Sequence, residues 1–283
     1  MERKQSSDPN ALRLVPPVEI AKRIRKHCIE MTHRANASHV GSSLSVADLL
    51  AVLYGRILRL DARDPSWDDR DRFILSKGHG CAALYATLAE RGFFPVDWLE
   101  TYYQDGSVLA GHATHKNIPG VEVSTGSLGH GLPIATGMAL AAKRDSRNYS
   151  IICLLSDGEC DEGSVWEAAL FAPQHKLDNL VAIVDYNKIQ SFGRVKEVID
   201  LDPLAAKWTA FGWATREIDG HNLSDVERTL NQIPFERGKP SCIVANTIKG
   251  KGVSFMEDKL LWHYRSPKGE ELQAALAELE QSE

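Results

Sequence analysis

Residues 150–190 read SIICLLSDGECDEGSVWEAALFAPQHKLDNLVAIVDYNKIQ. This stretch decides the fold. Ile151–Leu155 is an unbroken apolar run of strand length, the pattern of a strand covered on both faces. A helical segment follows from about Gly163 to Phe171, with Pro173 expected to end or kink it. Residues 179–187 (NLVAIVDYN) are a second buried strand. Strand, helix and strand within some forty residues predict two parallel strands joined by a crossover helix. In such sheets ligands bind beyond the carboxyl ends of the strands. Those ends carry Ser156, Asp157 and Gly158 on the first strand and Asp185 and Asn187 on the second.

Alternation continues on both sides. Residues 204–212 (LAAKWTAFG) read as helix, 213–219 (WATREID) as strand, 225–233 (DVERTLNQI) as helix and 240–247 (PSCIVANT) as strand. Residues 270–281 are a terminal helix. Upstream, Ile20, Ile24, Cys28 and Met31 mark an amphipathic helix. A second helix is expected to start at Ser45 as N-cap, and a third to stop at Gly92. Residues 103–133 are rich in glycine and histidine and show no periodicity, and a loop of that length is usually functional. The fold class is therefore α/β, a parallel β-sheet with helices on both faces. Residues 1–15 are expected to be a flexible N-terminus and 16–283 a single domain.

The chain has 283 residues, 43% hydrophobic and 25% charged, with a formal net charge of −5. That charge, without a long basic tract, argues against nucleic acid as a partner. No apolar run is expected to reach membrane-span length, and no secretory signal is visible. Five scattered cysteines without a CxxC pair suit reduced thiols in a cytoplasmic protein.

Asp157, Glu159, Asp161 and Glu162 crowd four carboxylates into six residues. Gly158 permits close backbone approach to a ligand, and the following helix N-terminus favours anions. Asp157 and Asn187, on adjacent strands, can face one crevice. A carboxylate, an amide oxygen and a nearby carbonyl suit a hard cation such as magnesium, which commonly shares its ligands with phosphates. The competing reading is a simple solvated turn. Glu159 and Asp161 read as acids that complement a helix N-terminus. Lys249 and Lys251 stand either near that crevice or on a solvated loop, and His115, His130 and His221 carry no assigned role.

Asp-Gly followed about thirty residues later by Asn resembles the thiamine diphosphate motif. Five further segments resemble, in order, the N-terminal half of transketolases. They are SHVGSSLSVADLL, DRFILSKGHGCAALYA, PGVEVSTGSLGHGLPIATGMALA, HKLDNLVAIVDYNKIQ and NTIKGKGVSFME. The resemblance covers residues 18 to 281. It implies thiamine diphosphate and Mg2+ (or Ca2+ or Mn2+) as cofactors, the metal on Asp157, Asn187 and the carbonyl of Ile189. It implies that Gly158 offers its N–H to the diphosphate, and that His79 and His263 contact the cofactor. Gly126 and Leu128 would meet the aminopyrimidine. His39 and His112 would face the sugar; they, His263 and Glu162 would be the catalytic groups, with Glu162 pointing to a partner's half of the site. Histidine suits proton traffic on sugar oxygens near neutrality.

Two departures stand out. Ser156 replaces the glycine usual before Asp-Gly. The chain also ends where full transketolases continue into a pyrimidine-binding domain. The resemblance thus implies the first subunit of a split transketolase, acting on sugar phosphates with a pyrimidine-domain partner, as an α2β2 heterotetramer. The remaining alternatives are half of another thiamine diphosphate enzyme, a 1-deoxyxylulose-5-phosphate-synthase-like or 2-oxo acid decarboxylating one, or a non-catalytic cofactor-binding or regulatory subunit.

Overall fold

Five parallel strands form one sheet in the computed structural model, which describes residues 15–281. They are β1 (Arg72–Leu75), β2 (Ile151–Ser156), β3 (Leu180–Tyr186), β4 (Ala214–Asp219) and β5 (Ser241–Asn246). Their order across the sheet is β1-β2-β3-β5-β4. The expectation of a flexible N-terminus falls on residues that lie, but for one, outside those described.

The helices are α1 (Pro17–Arg34), α2 (Val40–Leu44), α3 (Ala47–Val52), α4 (Cys81–Arg91) and α5 (Gly131–Arg144). They continue with α6 (Gly163–Gln174), α7 (Val195–Val198), α8 (Leu204–Ala210), α9 (Leu223–Leu230) and α10 (Glu270–Gln281). Alternate residues of each strand enter different cores, as a period of two requires. Phe73, Leu75, Ile152, Leu154, Val181 and Ile183 pack with α1 to α4, α9 and α10. Ile74, Ile151, Cys153, Leu155, Ala182 and Val184 pack with α5, α6 and α8. Helices therefore cover both faces, and every residue of β2 and β3 is buried.

Four local expectations change. β1 escaped the sequence reading because four residues give too short a pattern. Ser45 is not an N-cap but the C-cap of α2, and its hydroxyl donates to Ser42 O at 3.1 Å and Asp185 Oδ2 at 2.8 Å. α6 runs one residue past Pro173, to Gln174; the Ala169 carbonyl, which the proline leaves without a helical N–H, accepts from Trp213 Nε1 at 2.9 Å. Val40–Ile57 is long and apolar enough to cross a membrane by composition, but 89% of it is buried inside the fold, so it is a core segment. All five cysteines are free and buried. Gly92 ends α4 as expected, with φ +87° and the N–H of Phe93 on Leu88 O at 3.0 Å.

The register positions the site. Ser156 lies opposite Asp185, and Tyr186 opposite Asn246, so β2, β3 and β5 end at one level. Residues 103–130 contain no regular helix or strand, yet they are held against that level. Thr125 Oγ1 donates to Leu75 O at 2.7 Å, Thr125 N–H to Ala113 O at 2.9 Å, and Ala113 N–H to Gly78 O at 3.1 Å.

Candidate functional site

A cleft of about 230 Å³ opens beyond the carboxyl ends of β2 and β3. It is lined by His39, His79, His112, Gly126, Leu128, Asp157, Gly158, Asn187, Ile189 and His263. Segments separated by over two hundred residues thus meet at one place. Glu162 does not line the cleft; it is exposed just before α6, beside Gly129.

Asp157 is 1% exposed. Its Oδ1 accepts from Gly158 N–H at 2.7 Å and its Oδ2 from Lys188 N–H at 2.5 Å. Burial, and then the charge of Asp185, push its carboxyl up to about 6. Asn187 Oδ1 accepts from Ile189 N–H at 3.2 Å, and the Ile189 carbonyl accepts from Lys249 Nζ at 2.8 Å. One carboxylate, one amide oxygen and one carbonyl are a hard donor set with too little negative charge to satisfy a divalent cation alone. Among the described residues no group of three or more His, Cys, Asp or Glu side chains is poised to hold a metal. A cation here would need further oxygen ligands, of the kind a diphosphate offers.

Behind these groups sits a buried polar hub. Asp185 is fully buried and accepts from Lys77 Nζ at 2.5 Å, Ser45 Oγ at 2.8 Å, Asn187 Nδ2 at 2.9 Å and the hydroxyl of Thr247. Burial opposes its ionisation, but Lys77 and the other donors outweigh that and hold its carboxyl below the usual range. Lys77, also fully buried, donates to Ser42 O at 2.9 Å. The hub fixes the Asn187 amide by its nitrogen and leaves the oxygen facing Ile189.

Four imidazoles cluster above it. Ring centroids lie 5.2 Å apart for His39 and His79, 5.8 Å for His39 and His112, and 4.9 Å for His39 and His263. Burial, then neighbouring His112, Lys249 and Lys77, lowers His39 to about 4. Burial, then Lys249, lowers His263 to about 3. Burial drives His79 well below its ordinary value and lowers His112. All four are neutral near pH 7, the form in which one ring nitrogen donates and the other accepts. His39 holds φ +71°, an unfavoured backbone for a non-glycine residue, with its N–H on His263 O at 2.8 Å.

Sequence reasoning left out three lining residues, Ser42, Gln190 and Ser191, and gave Ser156 and Lys249 no settled role. Lys249 resolves one of its open alternatives. It is 1% exposed, with Nζ on Ile189 O and at 2.9 Å from His263 Nδ1. Burial, then the charge of Lys77, lowers it to about 8. Lys251 instead pairs with Glu257 at 3.2 Å, one third exposed. The IKGKG segment gave no periodicity by which to tell the two apart.

The reading of Glu159 as a helix-start charge is corrected. It is fully buried; Oε1 accepts from Gly129 N–H at 2.9 Å and from the Ser76 hydroxyl, and Oε2 from Ser156 N–H at 3.3 Å. Glu159 thereby pins the Gly126–Gly129 loop to the ends of β1 and β2. Ser156 takes part, accepting Glu159 N–H on its Oγ at 3.2 Å, so the side chain that departs from glycine is used in the turn. Asp161 accepts from Gln190 Nε2 at 2.9 Å, which latches Gln190 over Gly158.

A parallel α/β sheet whose strand ends hold a hard donor set, buried cations and neutral histidines defines a protein that binds a phosphate-bearing cofactor. The family model described as the transketolase thiamine diphosphate binding domain matches residues 18–279. The chain is 46% identical over 257 residues to the 6-deoxy-6-sulfo-D-fructose transketolase subunit of Clostridium sp. (strain MSTE9). That alignment covers 91% of this chain and 94% of the relative. It is also 46% identical over 260 residues to an apulose-4-phosphate transketolase subunit of Actinobacillus succinogenes, covering 92% and 94%. The solved transketolase of Campylobacter jejuni superposes with a TM-score of 0.86 at 32% identity, over 93% of this chain and 42% of that one. The chain belongs to the transketolase family, and it corresponds to the separate N-terminal subunit that some members of the family possess.

Proposed function

We propose that the chain is the diphosphate-binding half of a transketolase that moves a two-carbon ketol unit from a ketose, phosphorylated or otherwise, to an aldose. The observation that carries this reading is the cleft: Asp157, Asn187 and the Ile189 carbonyl face Lys249 and four neutral histidines. When bound, thiamine diphosphate would supply the carbon nucleophile and the electron sink for carbon–carbon cleavage.

The chain's own residues have distinct tasks. Asp157, Asn187 and the Ile189 carbonyl would hold Mg2+. Gly158 N–H, His79, His263 and Lys249 would hold the diphosphate, with Lys249 offering a buried cation to the anion. Gly126 and Leu128 border the aminopyrimidine. His39, in ring contact with both His112 and His263, and those two rings, all neutral, hold and pass protons on sugar oxygens. The partner is a second chain with the pyrimidine-binding domain, assembled as an α2β2 heterotetramer. Supporting this, Ile134, Leu170 and Phe171 are exposed on α5 and α6, two helices that border an apolar groove close to Glu162. Glu162 reaches toward that partner.

Replacing Asp157 by alanine tests the reading. Calorimetric titration with thiamine diphosphate and magnesium should show metal-dependent affinity lowered by about 100-fold or more, with ketol transfer falling alongside. Unchanged affinity with unchanged activity would leave Asp157 outside the metal site and overturn the assignment.

A further inference from the structure

Lys249 is a long side chain whose placement needs an anchor, and that anchor lies outside the cleft. The turn after β4 packs on the segment after β5. Gly220 N–H donates to Asn246 O at 2.8 Å, and a Cβ on Gly220 would stand 2.6 Å from Thr247 Cγ2. The next residue, His221, accepts the backbone N–H of Ile248 on Nε2 at 2.8 Å. A backbone N–H only donates, so Nε2 is unprotonated and the ring proton sits on Nδ1. Nδ1 lies 2.7 Å from Asp48 Oδ2 and donates to it. Asp48 is 6% exposed and is gripped by Arg25, whose Nη1 and Nη2 reach Oδ1 and Oδ2 at 3.0 and 2.6 Å. The chain of contacts runs from α1 through α3 and the β4 turn to Ile248.

Ile248 stands between two residues that face the site. Thr247 bonds Asp185, and Lys249 bonds Ile189 O and contacts His263. Fixing the amide between them fixes where both side chains leave the backbone. The Arg25–Asp48 pair sets the tautomer, and the tautomer decides whether Nε2 can receive Ile248.

We propose that His221 is a positioning residue for Lys249, acting through the Ile248 amide under the control of the Arg25–Asp48 pair. This rests on the thiamine diphosphate reading of the cleft. It adds a residue that touches none of the reacting groups.

Two isosteres divide the ring's functions. His221→Gln can place an oxygen near Nε2 and keep the acceptor for Ile248. His221→Asn can place an amide near Nδ1 and keep only the donor to Asp48. Each retains one buried hydrogen bond, and thermal melting records any common loss of stability. Three readouts apply: amide exchange at Ile248 in the cofactor-free chain, calorimetric affinity of the assembled pair for thiamine diphosphate with magnesium, and the same affinity in a Lys249→Met background. The expected result is fast exchange at Ile248 and affinity weakened by about tenfold in the Asn variant, against a change of under about threefold in the Gln variant. Combined with Lys249→Met, the Asn change should add nothing further. Equal behaviour of the two variants, or an Asn effect that persists in full without Lys249, overturns the proposal. A wild-type pair that fails to bind thiamine diphosphate at all contradicts the cofactor reading instead, and the inference with it.

Discussion

At the scale of single residues, the site is an exercise in burying charge safely. Lys77 and Asp185 are both fully buried; Asp185 accepts four side-chain hydrogen bonds, and Lys77 donates to Asp185 and to Ser42 O. Asp185→Asn would leave Lys77 as an uncompensated buried cation, a change expected to cost about 3–5 kcal/mol. Denaturant unfolding measures it; a loss below about 1 kcal/mol would show that Lys77 finds relief elsewhere. The histidines give a second prediction. Unfolded, they take up protons as pH falls through about 6.5. Folded, His39 and His263 resist until about 4 and about 3, and His79 and His112 are also lowered. The unfolded chain therefore binds more protons in that window, and their contribution to stability declines as pH falls. Asp157, raised to about 6, and the carboxyls of Glu159 and Asp161, which burial also raises, pull the other way against the four rings. The cofactor-free chain should unfold at lower denaturant at about pH 5.5 than at about pH 7.5. The reverse order would mean that the rings are charged in the folded state.

At the scale of elements, the strand ends and the loop over residues 103–130 depend on close backbone approach. A Cβ on Gly78 would lie 2.6 Å from both the carbonyl carbon and the oxygen of Thr125, next to Gly126 in the cleft wall. Backbone cannot rotate away as a side chain does. Gly78→Ala should cost about 1–3 kcal/mol and displace the Gly126–Leu128 wall. Thermal melting and thiamine diphosphate titration would both register it, and no change in either would show that the loop moves freely. This scale also separates what the sequence made legible from what it did not. β2, β3 and the ends that carry Asp157 and Asn187 were readable because long apolar runs stop at polar residues. β1 was too short to read, and Ser45 looked like a helix cap because local pattern cannot show a distant aspartate. Glu159 read as a helix-start charge for the same reason: its partners, Ser76 and Gly129, lie 83 and 30 residues away. His221 offered no pattern, since both of its contacts are made across the fold.

At the scale of the whole molecule, the chain carries one side of an active site. It spans 94% of the related separate subunit but 42% of the solved transketolase of Campylobacter jejuni. On the proposed reading the cleft would receive a metal, a diphosphate and sugar hydroxyls. The group that activates the aminopyrimidine is expected on the partner. The most direct measurement is reconstitution: ketol transfer from a ketose to an aldose, with thiamine diphosphate and magnesium, for this chain alone, for the pyrimidine-domain chain alone and for the two together. The account predicts turnover only from the pair. Full turnover from this chain by itself would contradict it.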